Sequence, residues 1–314
     1  MGLGDAWGGN AIGWFFGNLI DAFFNFFYAL FNPGTWLSWL PSINGAMETE
    51  QKEALMRFIY YGASVELFFV VFAIFLVVTI IGFINNRFMW GCVRSLEGFA
   101  NVVGRTAAWA GLLMVLQQIV IIFMQRVFAV SEISIGFGIT MTHDVSWWSE
   151  QLKFYNAMIV TLCASYTFVQ GGHVRVDLVY SAVSFRTQRI IDMVGSLLFM
   201  VPAAILTWLY GWFFLWRNLV VPNPSASDTL DRLVNKARAL RWNVETIGFS
   251  PNGFNAYFLF KILLVTFTIM VMLQAVAFFY RSYLERKEGE DSEGKYLDRD
   301  KLGDAQAELV AEIH

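Results

Sequence analysis

Charge is scarce in this chain. Charged residues make up only 15% of its 314 positions and apolar residues 57%, whereas an average soluble domain is about a quarter charged. Mean hydropathy is +0.51. That deficit excludes a water-soluble globular domain and points to an integral membrane protein. A net charge of -3 offers no cationic surplus for a polyanion, so nucleic acid is excluded as a partner. Cysteine is nearly absent. Cys92 and Cys163 are the two in the chain, and they form neither a disulfide framework nor a CxxC pair. Cys163 lies in an apolar run and Cys92 in a loop, so both are read as unpaired thiols. Histidine is equally rare: His143, His173 and His314 all fall in loops or the tail. Haem held by helix histidines is thereby excluded. His173 and Asp177 alone are too few ligands for a metal. No Ser/His/Asp set, phosphate-cradling glycine loop or carboxylate pair stands out, so an enzyme is the weaker class and no cofactor is expected. Among the six prolines, Pro202 alone interrupts a long apolar run.

Long apolar runs, by contrast, are plentiful. A bilayer span needs about 20 mostly apolar residues. Four runs meet that length, at roughly 60–84, 106–125, 190–217 and 254–280, and a shorter, more polar one lies at 152–170. Lipid offers no partner for backbone polar groups, so each must be helical. The expected fold is an all-α integral membrane protein with five transmembrane helices. Orientation follows from Lys and Arg in the loops. The loop 85–105 holds Arg87, Arg94 and Arg105, the loop 171–189 holds Arg175, Arg186 and Arg189, and the tail after residue 280 is basic as well. These segments are assigned to the cytoplasm. The first fifty residues contain no Lys or Arg, so the N-terminus is assigned outside and the C-terminus inside. The loop 218–253 falls outside by alternation although it carries Arg232, Lys236, Arg238 and Arg241.

Two further helices are expected at surfaces. Residues 11–31 are long enough to span, yet Gly9, Gly13, Gly17, Asp21 and Asn25 recur every four residues opposite an aromatic face. The reading is an interfacial helix in the outer leaflet boundary, with the glycine stripe either a helix-packing face or a flexible start. In the outer loop, Leu230, Leu233, Val234, Ala237 and Leu240 are spaced as one helix face behind Ser227 or Asp228 as cap, giving a short amphipathic helix over about 228–241. Residues beyond 284 are charged and poor in aromatics, and read as a solvated tail. Within the spans, Gln117, Gln118 and Gln274 suit hydrogen bonding between helices. Pro202 implies a kink.

The densest chemistry is the row Gly171-Gly172-His173-Val174-Arg175-Val176-Asp177 between two apolar runs. If extended, it turns its valines one way and His173, Arg175 and Asp177 the other. With Arg186 and Arg189, these residues are read as an assembly or lipid-anchoring element rather than a catalytic one.

The ordered residues from about 105 onward resemble the small membrane subunit (DctQ type) of tripartite ATP-independent periplasmic (TRAP) transporters. The row His173-Val174-Arg175-Val176-Asp177 is its most specific part. It is preceded by Trp148-Ser149-Glu150 and followed by Arg186, Arg189, Leu198-Phe199-Met200-Val201-Pro202, Trp216-Arg217, Lys261 and Leu273-Gln274. The resemblance implies a four-helix unit at 105–281. Ahead of it come an N-terminal extension, 1–59, an additional helix, 60–84, and a cytoplasmic linker, 85–104. A charged cytoplasmic tail, 282–314, follows. It also implies a secondary transporter of the bacterial cell inner membrane. There this subunit pairs with a large permease that carries the substrate and sodium sites, and a periplasmic binding protein delivers an organic acid. Glu150, Gln117, Gln118, Pro202, Lys261 and Gln274 are assigned to helix packing or partner contact. Arg232, Lys236 and Arg238 are assigned to the binding protein, and the basic loops to membrane phospholipid. The extra N-terminal span and the longer outer loop depart from the family pattern. The runner-up reading is a stand-alone membrane adaptor or anchor of another complex. From the arginine distribution, reporter fusions after residues 95 and 183 should read cytoplasmic and fusions near 135 and 235 periplasmic. A cytoplasmic reading at 235 would refute the assigned topology.

Overall fold

The computed structural model describes residues 2–43, 45–135, 141–171, 180, 182–243 and 253–298. These are overwhelmingly helical, as an all-α membrane protein requires. Five helices are long and apolar enough to cross a membrane by length and composition: Ala11–Phe31, Val65–Ile84, Asn86–Val127, Phe185–Leu219 and Phe258–Glu288. Val145–Leu162 and Ala164–Gln170, bent by 43°, qualify together and bring the total to as many as six. The chain divides into two compact units, one within Met1–Asn85, Thr207–Ile247 and Ala256–Lys261, the other within Asn86–Leu206, Gly248–Asn255 and Ile262–His314.

In the first unit, the helix Ala11–Phe31 starts where the Asn10 side chain accepts the Gly13 N–H at 2.6 Å. Its glycine stripe is a packing face for the chain's own first residues. The one-turn helix Leu3–Ala6 folds back onto it, and a Cβ on Gly17 would stand 2.7 Å from Gly4 Cα. A helix not foreseen from sequence, Thr49–Tyr61, begins at a capping box made by Glu48 and Gln51. Its apolar face buries Ala54, Leu55, Met56 and Ile59. Against it packs the amphipathic helix expected in the loop 218–253, Leu230–Ala237, which buries Leu233 and Ala237. That helix is shorter than the expected 228–241. Asp228 does not cap it, because its carboxylate takes the Ser225 N–H at 2.9 Å and the Lys236 ammonium instead. Burial pushes the Asp228 carboxyl up, but those bonds and the Lys236 charge outweigh it and hold the group below its usual range. Downstream, Arg241–Trp242 pairs antiparallel with Val220–Val221. The helices Thr49–Tyr61 and Leu230–Ala237, and the loops that contain them, thus share one core.

The two loops are tied together by aromatic rings. Trp39, Phe58, Trp212 and Trp216 contact one another edge-on or tilted at centroid separations of 5.3–6.0 Å, and Trp242 lies beside Trp39 and Trp216. The indole N–H groups of Trp212 and Trp208 donate to the Ile59 and Gly62 carbonyls at 2.9 and 2.7 Å. These carbonyls end the helix Thr49–Tyr61 and have no intrahelical donor of their own. Gly62 makes the approach possible, because a Cβ there would stand 2.1 Å from Trp212 Cε2.

In the second unit, the stretch expected as a linker and loop, 85–105, is helical from Asn86 onward. It forms the first turns of Asn86–Ile122, so Cys92 sits in a helix. The helix ends in a π turn, Phe123–Val127. The strands Glu132–Ile135 and Met141–Asp144 pair antiparallel where a plain loop was expected. Asp144 caps Val145–Leu162, accepting the Ser146 N–H and hydroxyl at 2.7 and 2.6 Å, bonds that hold its carboxyl below the usual range. The break at Cys163 follows Thr161, whose hydroxyl bonds back to the Ala157 carbonyl at 2.7 Å, a contact that bends helices. Gly104 lets the segment beyond the break approach, because a Cβ there would meet Tyr166 Cβ at 2.2 Å. Pro202 deprives the Leu198 carbonyl of its donor. The chain answers with a π turn, Ser196–Met200, in which the Val201 N–H reaches the Ser196 carbonyl.

Gly62→Ala should therefore destabilise the protein by about 1–3 kcal/mol through overpacking. Gly98→Ala, where a Cβ meets nothing within 4 Å inside a helix, should stabilise it by about 1 kcal/mol or less. Melting temperatures of the detergent-solubilised variants, read by tryptophan fluorescence, test both; equal melting of Gly62→Ala and the parent would refute the Trp212 contact.

Candidate functional site

At the arginine-rich ends of three helices of the second unit, sequence spacing puts opposite charges on facing surfaces. Glu97 and Asn101 stand four apart on Asn86–Ile122, Arg281 and Glu285 four apart on Phe258–Glu288, and Arg189 and Asp192 three apart on Phe185–Gly195. Such pairs share a helix face. Packing those faces together encloses the charges: Arg189, Arg281, Glu97, Asp192 and Glu285 are all buried, Glu285 to 2% exposure.

The hydrogen bonds and ion contacts are dense. Arg281 grips Glu97 with both arms of its guanidinium, Nε to Oε1 at 2.6 Å and Nη2 to Oε2 at 2.5 Å. Its Nη1 reaches Glu285 Oε1 at 3.3 Å and the Lys295 carbonyl at 3.1 Å. On its other side Glu285 faces Arg189 Nε at 3.1 Å through Oε2. Arg189 extends the chain of charges to Asp192 at 3.1 Å and Glu293 at 2.7 Å. The Tyr180 hydroxyl donates to Asp192 at 2.7 Å, and Gln188 donates to the Tyr180 carbonyl at 2.9 Å. A Trp90 ring faces Arg281 and Lys295 at 5.5 and 5.7 Å, where its π-cloud attracts cations.

The network also captures the start of the tail. After Glu288 the backbone turns back through Gly289, Gly294 and Tyr296, all at positive φ. The Gly294 N–H donates to Glu285 Oε1 at 3.2 Å, and Leu297 packs on buried Ala100, Val169 and Met270. The Asp298 carbonyl accepts from Asn101 at 2.9 Å and Gln170 at 3.0 Å, while its carboxylate takes Arg105 at 2.9 Å. The bond from Arg105 holds the Asp298 carboxyl below its usual range. Residues 289–298 are thus folded, where a solvated tail was expected from 284 onward.

The central residues of the expected assembly row, His173, Arg175 and Asp177, lie outside the described residues. Their neighbours Gln170 and Tyr180 are both bound into this network. Arg186 is exposed. Arg189, grouped with it for assembly or lipid anchoring, is enclosed by three carboxylates of its own chain. Gln117 crosses to the next helix, donating to the Trp148 carbonyl at 2.9 Å and to Gln151 at 3.3 Å, whereas Gln118 is exposed. Gln274 is buried, with no hydrogen-bond partner for its Oε1 among the described residues. Glu150 and Lys261 are half-buried. Arg232 and Arg238 are exposed, and Lys236 is paired with Asp228.

Sequence reasoning missed Glu97, Arg281 and Glu285. The available signals were an acid among the arginines of a supposed loop and an Arg/Glu pair at helical spacing near a helix end. The network holds no nucleophile paired with a base. Among the described residues no group of three His, Cys, Asp or Glu is placed to hold a metal ion. Its chemistry is that of a cross-link: buried charges that have partners only while the three helices stay together.

Comparison with known proteins agrees with the resemblance drawn from the ordered residues. Residues 139–231 match the family model of the tripartite ATP-independent periplasmic transporters, DctQ component. The matched segment includes the bent helix pair, the row at 171–179 and Phe185–Leu219. No curated protein and no solved structure matches the chain. Over residues 139–231, this membrane protein is thus similar to the DctQ component of tripartite ATP-independent periplasmic transporters.

Proposed function

We propose that this chain is the small permease subunit of a TRAP-type transporter, holding the static part of a larger transport subunit in place while a mobile part carries an organic acid across the membrane. The observation that carries the reading is the DctQ-component match over residues 139–231. The buried network supports the bracing role. A brace must resist sliding of one helix past another, and Glu285 has its guanidinium partners on two elements at once. Moving any of the three helices by a turn would strand a charge in a site closed to water, at a cost of about 3–5 kcal/mol.

In this proposal the row at 171–179 contacts the large subunit or lipid phosphate, held at its two flanks through Gln170 and Tyr180. A periplasmic binding protein docks on the other side of the membrane, where Arg232 and Arg238 are exposed. The unit 105–281 does the bracing, and residues 1–104 are additions to it. No residue of this chain touches substrate.

Arg281→Met or Glu97→Leu should lower recovery of the complex with the large subunit and lower uptake in the same proportion, while surviving complexes keep their apparent substrate affinity. Arg175→Ala and Asp177→Ala should do the same. Affinity purification followed by uptake in proteoliposomes reads both quantities, and a shifted substrate preference with normal assembly would refute the bracing role. Separately, reversing Arg232, Lys236 and Arg238 to Glu should weaken uptake at low binding-protein concentration and flatten its salt dependence, because exposed attraction is screened within about 10 Å at 0.1 M salt. Unchanged uptake would remove the binding protein from that surface.

A further inference from the structure

The first thirty residues lie outside the matched family segment, and the bracing role does not use them. By length and composition the helix Ala11–Phe31 can cross a bilayer. Its surroundings say otherwise. At 100° per residue, Ile12, Phe16, Phe23, Phe27 and Leu30 fall on one arc, and all are exposed, Ile12 to 72% and Leu30 to 58%. Gly13, Gly17 and Asp21 fall on the opposite arc, which beyond Asp21 carries the exposed aromatics Phe24, Tyr28 and Phe31 beside Asn25. Up to Asp21 the helix thus sets an apolar arc against a small polar one, as suits a boundary between hydrocarbon and water, and beyond it the helix is apolar nearly all round.

The polar arc is where the chain folds back. The Gly4 N–H donates to Asp21 Oδ2 at 2.9 Å, and Leu3–Ala6 lies against Gly17. That turn therefore sits beside the middle of the helix. Asp21 is ten residues in from Ala11, roughly 15 Å along the axis. Were the helix to span, the Asp21 carboxylate and the exposed Asp5 of the turn beside it would sit near mid-depth of a hydrocarbon layer about 30 Å thick, where neither finds water. Laid flat, the same residues face water. The packing against Val65–Ile84 fits a flat helix as well. Trp14 and Phe15 meet Phe69 at 5.5 Å, Phe15 meets Phe72 at 6.0 Å, and Ala22 joins Phe69 and Ala73 in one buried cluster. These contacts centre on the first turns of that span, next to the loop that contains Thr49–Tyr61.

We propose that Ala11–Phe31 is a monotopic anchor that lies in the leaflet facing the outer loops. Its aromatic arc and its aromatic C-terminal turns enter the acyl boundary, and the Gly17–Asp21 face of its first half, covered by Leu3–Ala6, faces water. The occupant of the aromatic face is lipid hydrocarbon, recognised without charge, since residues 1–50 contain no Lys or Arg. The membrane-crossing helices then number five, with the bent pair counted as one span.

Cysteine accessibility tests this in the full chain, starting from the Cys92→Ser, Cys163→Ser background. Asn235→Cys marks the side of the outer loops and Arg286→Cys the opposite side, so the result does not depend on the transporter assignment. A membrane-impermeant maleimide should label Asp5→Cys, and independently Gly9→Cys, from the same side and to the same extent as Asn235→Cys. Phe23→Cys and Phe27→Cys should stay unlabelled from either side. A fluorophore attached at Phe23→Cys before reconstitution should be quenched more strongly by lipids brominated near the headgroup than by lipids brominated at the chain end. The pattern should be the same in zwitterionic vesicles and in vesicles containing anionic lipid. Labelling of Asp5→Cys and Gly9→Cys from the Arg286 side, or from neither side, would overturn the proposal, as would stronger quenching from the bilayer centre or a requirement for anionic lipid.

Discussion

One carboxylate with almost no water around it organises the second unit. Glu285 faces Arg281 through one oxygen and Arg189 through the other, and each arginine in turn holds a carboxylate on its own or another helix. Buried charges of this kind are costly to enclose and more costly to leave unpaired. The network therefore contributes less to net stability than to uniqueness: the helices have one register in which every charge has a partner. The folding of residues 289–298 follows from the same constraint, because the Lys295 carbonyl and the Gly294 N–H add hydrogen bonds to Arg281 and to Glu285 Oε1, while Arg189 Nε and Glu285 Oε2 meet as an ion contact at 3.1 Å without a hydrogen bond.

The first unit is held by different physics. Its loops meet through indole and phenyl rings, whose large apolar area favours burial and whose quadrupoles favour edge-on contact. The Trp208 and Trp212 N–H groups also satisfy carbonyls at a helix end. Gly62 is the geometric condition for that arrangement, since any side chain there would fill the space that the Trp212 ring occupies. Shape decides this unit, whereas charge decides the other.

Several elements were legible in the chain as written. Apolar run length located the spans near 65–84 and 190–217, because a run of that length has few other places to go. The four-residue recurrence of Gly13, Gly17 and Asp21 indicated a close-packing face, although not that the chain's own first residues fill it. Other elements were not legible. Residues 86–105 are polar enough to read as a loop, and only burial of Trp90, Glu97 and Asn101 makes them helical. The helix Thr49–Tyr61 has no apolar run to announce it, and its stability comes from the helix Leu230–Ala237 that covers it.

Composition and periodicity by themselves determined that this protein lives in a membrane and that it is helical, and the order of its motif residues carries the resemblance to a DctQ-type subunit. Each of these depends on local properties: transfer of side chains from water, backbone hydrogen bonds closed within one segment, and residue order along the chain. Only the tertiary structure decided that Arg189 and Arg281 lie inside the protein, that Glu285 joins them, and that the tail begins as part of the fold. Those outcomes depend on residues far apart in the chain, 184 positions for Arg281 with Glu97 and 96 for Arg189 with Glu285 (285 − 189 = 96), and the pairing of buried charges across such distances leaves no periodic trace along the chain.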